Sequence, residues 1–165
     1  MKKIMEMLQN MKAKNEKKDN KGFSLVELII VIAIMAILVG VVGTQVLPYL
    51  NKSKLEKDRQ VISSYSTAAV SAYSMIAGDI SALPTTPIDV YTSTADENTT
   101  DEGKIVKKIK ELTGSTNPVS TLKSKEAKDA TDIKITYDSS QNKVTVTLDG
   151  VTADNAKALQ VESTM

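Results

Sequence analysis

The sequence predicts an α+β protein: one long N-terminal helix carrying a small antiparallel β-sheet. Three observations predict it. The stretch from Leu28 to Leu50 is apolar, and no charge falls between Glu27 and Lys52. Apolar residues then recur at helical spacing, with Leu55, Ile62, Tyr65, Ala69, Tyr73 and Ile76 on one stripe and Ala68 and Ala72 widening it. Near the C-terminal end the period falls to two, with Ile133, Ile135 and Tyr137, then Val144, Val146 and Leu148, alternating with polar residues.

The uncharged run is the organising element. A helix crosses a bilayer with about 20 apolar residues. In lipid every backbone N–H and C=O must be satisfied within the segment, so the run is expected to be helical. Gly40, Gly43 and Pro48 fall late in it, where a helix can kink or stretch, although membrane helices also tolerate these residues. Glu27 is the odd member, because a carboxylate inside a membrane segment is disfavoured and asks for a partner. From Asn51 the helix is expected to continue to about Ala77, with Gly78-Asp79 as its stop. Such a helix from Ser24 would be about 80 Å long, apolar all round in its first half and amphipathic in its second. Lys52, Lys54, Glu56, Lys57, Asp58 and Arg59 read as a solvated or interfacial collar.

Beyond the helix, residues 79–100 read as loop because Pro84, Pro87 and the Thr- and Asp-rich run after Tyr91 break any period. A short helix is expected near Asp101 to Leu112. Asp101 and Glu102 suit its first turn, Lys107, Lys108 and Lys110 its last, and Gly114 its end. Its apolar face would be Ile105, Ile109 and Leu112. Residues 115–130 read as a polar connector. The two alternating segments form a hairpin around a loop from Asp138 to Asn142, and Asp149-Gly150 signals a further turn. The segment from Val151 to Met165 fits a third strand around Ala158–Val161 or a short helix, the strand being preferred.

Net charge is +1, which hides an asymmetry. Residues 1–22 carry seven lysines against Glu6, Glu16 and Asp19, and the remainder is net negative. Positive charge beside a span stays in the cytoplasm, so the N-terminal segment is expected inside and the C-terminal part outside. An ordinary secretory signal peptide fits less well: the run exceeds the usual apolar length and no A-x-A-like site follows it. The chain has no Cys and no His. The exported part therefore has no disulfides, a zinc site of the usual ligands is excluded in practice, and the commonest catalytic triads are absent. No phosphate-cradling Gly loop is present, and no basic patch with interleaved aromatics suggests nucleic-acid binding. Asp96, Glu97, Asp101 and Glu102 offer oxygen ligands for calcium but lack EF-hand spacing, and a solvated loop is the better reading. Asn51-Lys52-Ser53 and Asn98-Thr99-Thr100 match the glycosylation pattern, which is common by chance. No cofactor is expected.

The segment Gly22-Phe23-Ser24-Leu25-Val26-Glu27, followed by its apolar helix and preceded by a basic leader, resembles the N-terminal signature of type IV pilins and pseudopilins. The resemblance covers roughly residues 15–50. It implies a pilin-like fold and three regions: a leader at 1–22, an apolar transmembrane and assembly helix at 23–50, and an amphipathic helix with an extracytoplasmic head at 51–165. It implies cleavage between Gly22 and Phe23 by a prepilin peptidase, with N-methylation of Phe23. Glu27 would be the fifth residue after cleavage and pair with the Phe23 amine of its own or a neighbouring subunit. Pro48 lies about a turn later than the proline common in that family.

The function implied is a structural subunit of a type IV pilus. Its partners would be copies of itself or other pilins, the pilus assembly machinery, and membrane lipid before assembly. The cytoplasmic membrane would be its first location and an extracellular filament its second. The alternatives are a pseudopilin of a type II secretion or competence DNA-uptake system, and, from another class, an uncleaved single-span membrane-anchored binding protein. An enzyme is not expected.

Overall fold

The architecture is that of a computed structural model describing Glu6 and residues 24–165. Gly22, Phe23 and almost all of the basic segment expected to be a leader lie outside the described residues. The chain divides into two units, Met1–Gln45 and Val46–Met165. Helix α1, Leu25–Ile76, contributes to both and continues through Gly40, Gly43 and Pro48.

In the first unit, Ser24 caps the start of α1. The Val26 N–H donates to the Ser24 hydroxyl at 3.3 Å, and the Ser24 N–H donates to the Glu27 carboxylate at 2.9 Å. This reciprocal pair is a capping box, which satisfies two of the donors that a helix start leaves free. From Leu25 to Val42 the large apolar side chains are exposed on every side of the helix. Among the described residues, α1 is the one helix long and apolar enough to cross a membrane.

In the second unit, α1 has one buried face. Ile62, Tyr65, Ala69 and Ala72 enter the core, following the helical period. Helix α2 is Asp101–Thr113. The Thr100 hydroxyl caps its start by accepting from the Gly103 N–H at 3.0 Å, and the N–H of Gly114 (φ +108) closes its end on the Lys110 carbonyl at 2.8 Å. Ile105, Val106 and Ile109 are its buried side chains, whereas Leu112 is exposed. The expected face was thus right at two positions, and Val106 takes the third because the helix is covered one residue further round than a strict stripe implies. Gly103 lies against the 96–97 backbone, and a Cβ there would sit 1.9 Å from the Asp96 carbonyl oxygen.

The sheet has four antiparallel strands in the order β1-β2-β3-β4: Ile88–Asp89, Asp132–Asp138, Lys143–Asp149 and Val161–Thr164. The β2–β3 hairpin falls where the period-two pattern placed it, with Ile135 opposite Val146 and Tyr137 opposite Val144. Its loop turns at Asn142, whose φ of 52 is tolerated by asparagine better than by most residues. One short strand, β1, lies inside the region read as loop. The C-terminal segment contains both alternatives, helix α3 (Ala153–Leu159) and then β4, divided at Gln160. The strand therefore begins three residues later than expected, because the Thr152 hydroxyl caps a helix first by accepting from Asn155.

Sheet and helices share one aliphatic core. Ile133, Ile135, Tyr137, Val144, Val146 and Leu148 all face it, with Ile88, Val90 and Leu159. Small residues on α1 let the sheet come close, and the Tyr137 hydroxyl donates to the Ala69 carbonyl at 3.1 Å. Ser66 on α1 also donates to Ser163 on β4 at 2.7 Å. Tyr91 gives its single hydroxyl proton to the Gly114 carbonyl at 2.8 Å, so Tyr65 must be the donor in the 2.6 Å bond between the two phenols. Burial raises both the Tyr91 and Tyr137 hydroxyls well above the usual phenol range.

Candidate functional site

Glu27 is the described member of the expected site. Its carboxylate is aimed toward the helix start, where it accepts from the Ser24 N–H. Two effects hold it there: the hydrogen bond, and the partial positive charge of the helix N-terminus. Ser24 was not singled out from sequence, although Ser-x-x-Glu before an apolar run is a legible capping signal. The geometry keeps the Glu27 carboxylate at the Ser24 N–H, at the first described residue of the helix start. The cleavage and methylation positions themselves lie outside the described residues.

The four acidic residues weighed as a calcium site do not converge. Asp96 accepts from the Asn98 N–H at 2.8 Å, Glu97 pairs with Lys110 at 2.8 Å, and Glu102 accepts from the Ser93 hydroxyl at 2.6 Å. Asp101 accepts from the N–H groups of Ser81 and Ala82 at 2.9 and 3.1 Å, fixing the loop after α1. Each carboxylate has its own local task, and no group of three or more potential metal ligands occurs among the described residues.

Two other carboxylates, missed from sequence, organise the head. Asp132, at the start of β2, is fully buried. It accepts from the Tyr91 N–H at 2.9 Å, the Thr92 N–H at 2.6 Å, the Thr92 hydroxyl at 2.8 Å and the Ile133 N–H at 2.7 Å. Asp58 is also buried, which corrects its reading as part of a solvated collar. It accepts from the Lys123 N–H at 3.0 Å and the Ser124 N–H at 2.6 Å. A buried carboxylate persists only when its lone pairs are filled, and here backbone donors fill them. These clamps close the 89–93 and 122–125 segments in a chain that has no cysteine for the purpose.

On the other face of the sheet, Lys134 lies between Asp149, with which it is hydrogen-bonded, and Asp89 at 3.8 Å. The bond to Lys134 holds the Asp149 carboxyl below the usual aspartate range, and the same bond raises the lysine. Burial pushes Asp89 up in spite of the lysine. This is a structural charge cluster. Its cation is paired with two carboxylates that keep it charged.

Residues 17–43 match the prokaryotic N-terminal methylation motif, and the chain thus carries the signal of type IV pilins and pseudopilins. No curated protein and no solved structure matches the chain. The motif and the exposed apolar helix fit membrane anchoring.

Proposed function

We propose that this chain is a prepilin. A prepilin peptidase cuts it between Gly22 and Phe23, Phe23 is N-methylated, and the product polymerises through its apolar helix into a type IV pilus. The observation that carries the reading is the methylation motif at residues 17–43, lying over a helix whose apolar side chains are exposed all round. Such a surface is stable in lipid or against other helices, and not in water. Extraction into a filament exchanges the first environment for the second.

Glu27 gives that exchange its register. A carboxylate leaving lipid gains from an ammonium opposite it, and the Phe23 amine of a neighbouring subunit supplies one. The capping bond to Ser24 holds the carboxylate ready in the meantime. The head is a scaffold: its buried acids hold loops, and no catalytic role is assigned to it.

Mass spectrometry of the native protein tests the reading. It expects a chain beginning at methylated Phe23, recovered from sheared surface filaments. A chain beginning at Met1 and recovered only from membranes would support the uncleaved anchored binding protein instead. Short membrane-bound assemblies of the cleaved chain, with no surface filament, would support the pseudopilin.

A further inference from the structure

Burial of Asp58 changes the charge of the collar. In sequence, Asp58 and Glu56 offset the cations around them. In the structure the Asp58 carboxylate turns inward, so Lys52, Lys54, Lys57 and Arg59 stay exposed, with Glu56 the one exposed acid between Lys52 and Arg59 in sequence and Glu162 and Lys157 lining a pocket beside Arg59. Glu56 lies 3.8 Å from Arg59, and among the described residues the three lysines have no carboxylate within ion-pair distance. The same clamp adds further charge. By accepting from the Lys123 and Ser124 N–H groups, Asp58 draws the 123–125 segment to this level of α1, where Lys123 and Lys125 are both exposed. Glu126 is the one carboxylate directly beside them in sequence.

The position of this patch selects its partner. Val46, Leu47, Tyr49 and Leu50, just before it, are exposed apolar or aromatic residues. Lys52 follows Leu50 by two residues and Arg59 by nine, about 3 to 14 Å along the helix. The headgroup layer beyond the hydrocarbon is about 5–8 Å thick on each side. Tyr49 suits the boundary between the two layers, and lysine stems lie along apolar surface while their ammonium groups reach outward.

We propose that this patch binds the phosphates of anionic phospholipids in the outer leaflet, and so seats the head on the membrane until the subunit is extracted. The proposal rests on the membrane anchoring described above and does not need the filament. By rise along the helix Lys52 and Lys54 fall within the headgroup layer, while Lys57, Arg59 and, at the level of Asp58, Lys123 and Lys125 lie a few ångströms beyond it, a gap their long side chains can span. They bracket the helix on more than one side, since Lys54 and Lys57 lie on roughly the opposite face from Lys52 and Arg59. Attraction of this kind grows with each added lysine or arginine and falls with salt.

Full-length chain reconstituted in vesicles tests it. The protein has no cysteine, so Ser53→Cys places a unique thiol within the patch, and Gly78→Cys places a control beyond the far end of α1. Labelling by an uncharged maleimide is timed in phosphatidylcholine vesicles and in vesicles containing phosphatidylglycerol. The Ser53→Cys thiol is expected to react slower by about fivefold in the anionic vesicles. The difference should vanish in 0.5 M salt or when Lys52, Lys54 and Lys57 are all changed to Gln, while Gly78→Cys reacts alike in both. Equal rates at Ser53→Cys, parallel slowing of both thiols, or slowing that survives the triple change would overturn the proposal. So would slowing that depends on protein density in neutral vesicles, which would assign the patch to acidic surfaces of other copies. Release of the chain from vesicles by alkaline carbonate would overturn membrane anchoring itself, and the proposal with it.

Discussion

Changing Asp132 to Ala should cost the head a large part of its stability. The carboxylate accepts three backbone N–H bonds and one hydroxyl bond. Hydrogen bonds to a charged acceptor contribute about 1.5–3 kcal/mol each, but Thr92 is exposed and water can replace its two partners. The Ile133 N–H lies on a fully buried residue and the Tyr91 N–H on a half-buried one. Leaving them without an acceptor costs about 1–3 kcal/mol apiece, so the loss should be about 3–4 kcal/mol. A unit the size of Val46–Met165 is stable by only roughly 6–18 kcal/mol. Asp132→Asn keeps one acceptor oxygen and should lose less, about 2 kcal/mol. The assay is urea unfolding of the full chain in a mild detergent, followed by near-ultraviolet circular dichroism of its tyrosines. Amide exchange at Tyr91 and Thr92 should accelerate in step. A loss below about 1 kcal/mol in Asp132→Ala, or unchanged exchange at Tyr91, would refute the view that this carboxylate closes the loop.

Gly103→Ala should destabilise the head by about 2–4 kcal/mol in thermal unfolding, because the new Cβ meets the Asp96 backbone. Gly40→Ala, with open space around it, should leave unfolding unchanged. Asp149→Asn should lower stability at pH 7 by less than about 1 kcal/mol, the range of an exposed pair. Because the folded state depresses the Asp149 carboxyl, its contribution is full above the ordinary value of 3.8 and is lost as pH falls through the lower folded value. Asp89 has the opposite sign: its raised carboxyl makes ionisation a cost to the fold, so Asp89→Asn should hold or slightly raise the melting temperature at pH 7. Glu27→Ala should leave membrane insertion and cleavage intact and reduce surface filaments severalfold by electron microscopy. A bulky residue in place of Gly22 should block processing, seen as a precursor band that does not shift on a gel.

Periodicity carried most of the fold. The apolar run, the stripe from Ile62 to Ile76 and the alternation of β2 and β3 are each repeated signals over many residues, and each element formed where its period lay. Two-residue β1 has no period to read; it exists because its partner β2 is already in place and the Asp132 clamp holds the chain just after it. Asp58 was misread because it stands among lysines, yet it is four residues before Ile62 and therefore on the buried stripe. Its spacing outweighs its charge here because a loop 65 residues away brings the donors. Asp132 left no comparable trace, since its partners lie 40 residues back in a segment without pattern. The helix start was read from sequence as a motif and not as a cap, although Ser24 and Glu27 form one in the structure.

The two carboxylate clamps bear on how the head survives mechanical insult. A severed covalent bridge needs chemistry to restore it, whereas a loop sprung from Asp58 or Asp132 needs only to diffuse back. A domain fastened by hydrogen bonds alone can re-form each clamp without a redox partner.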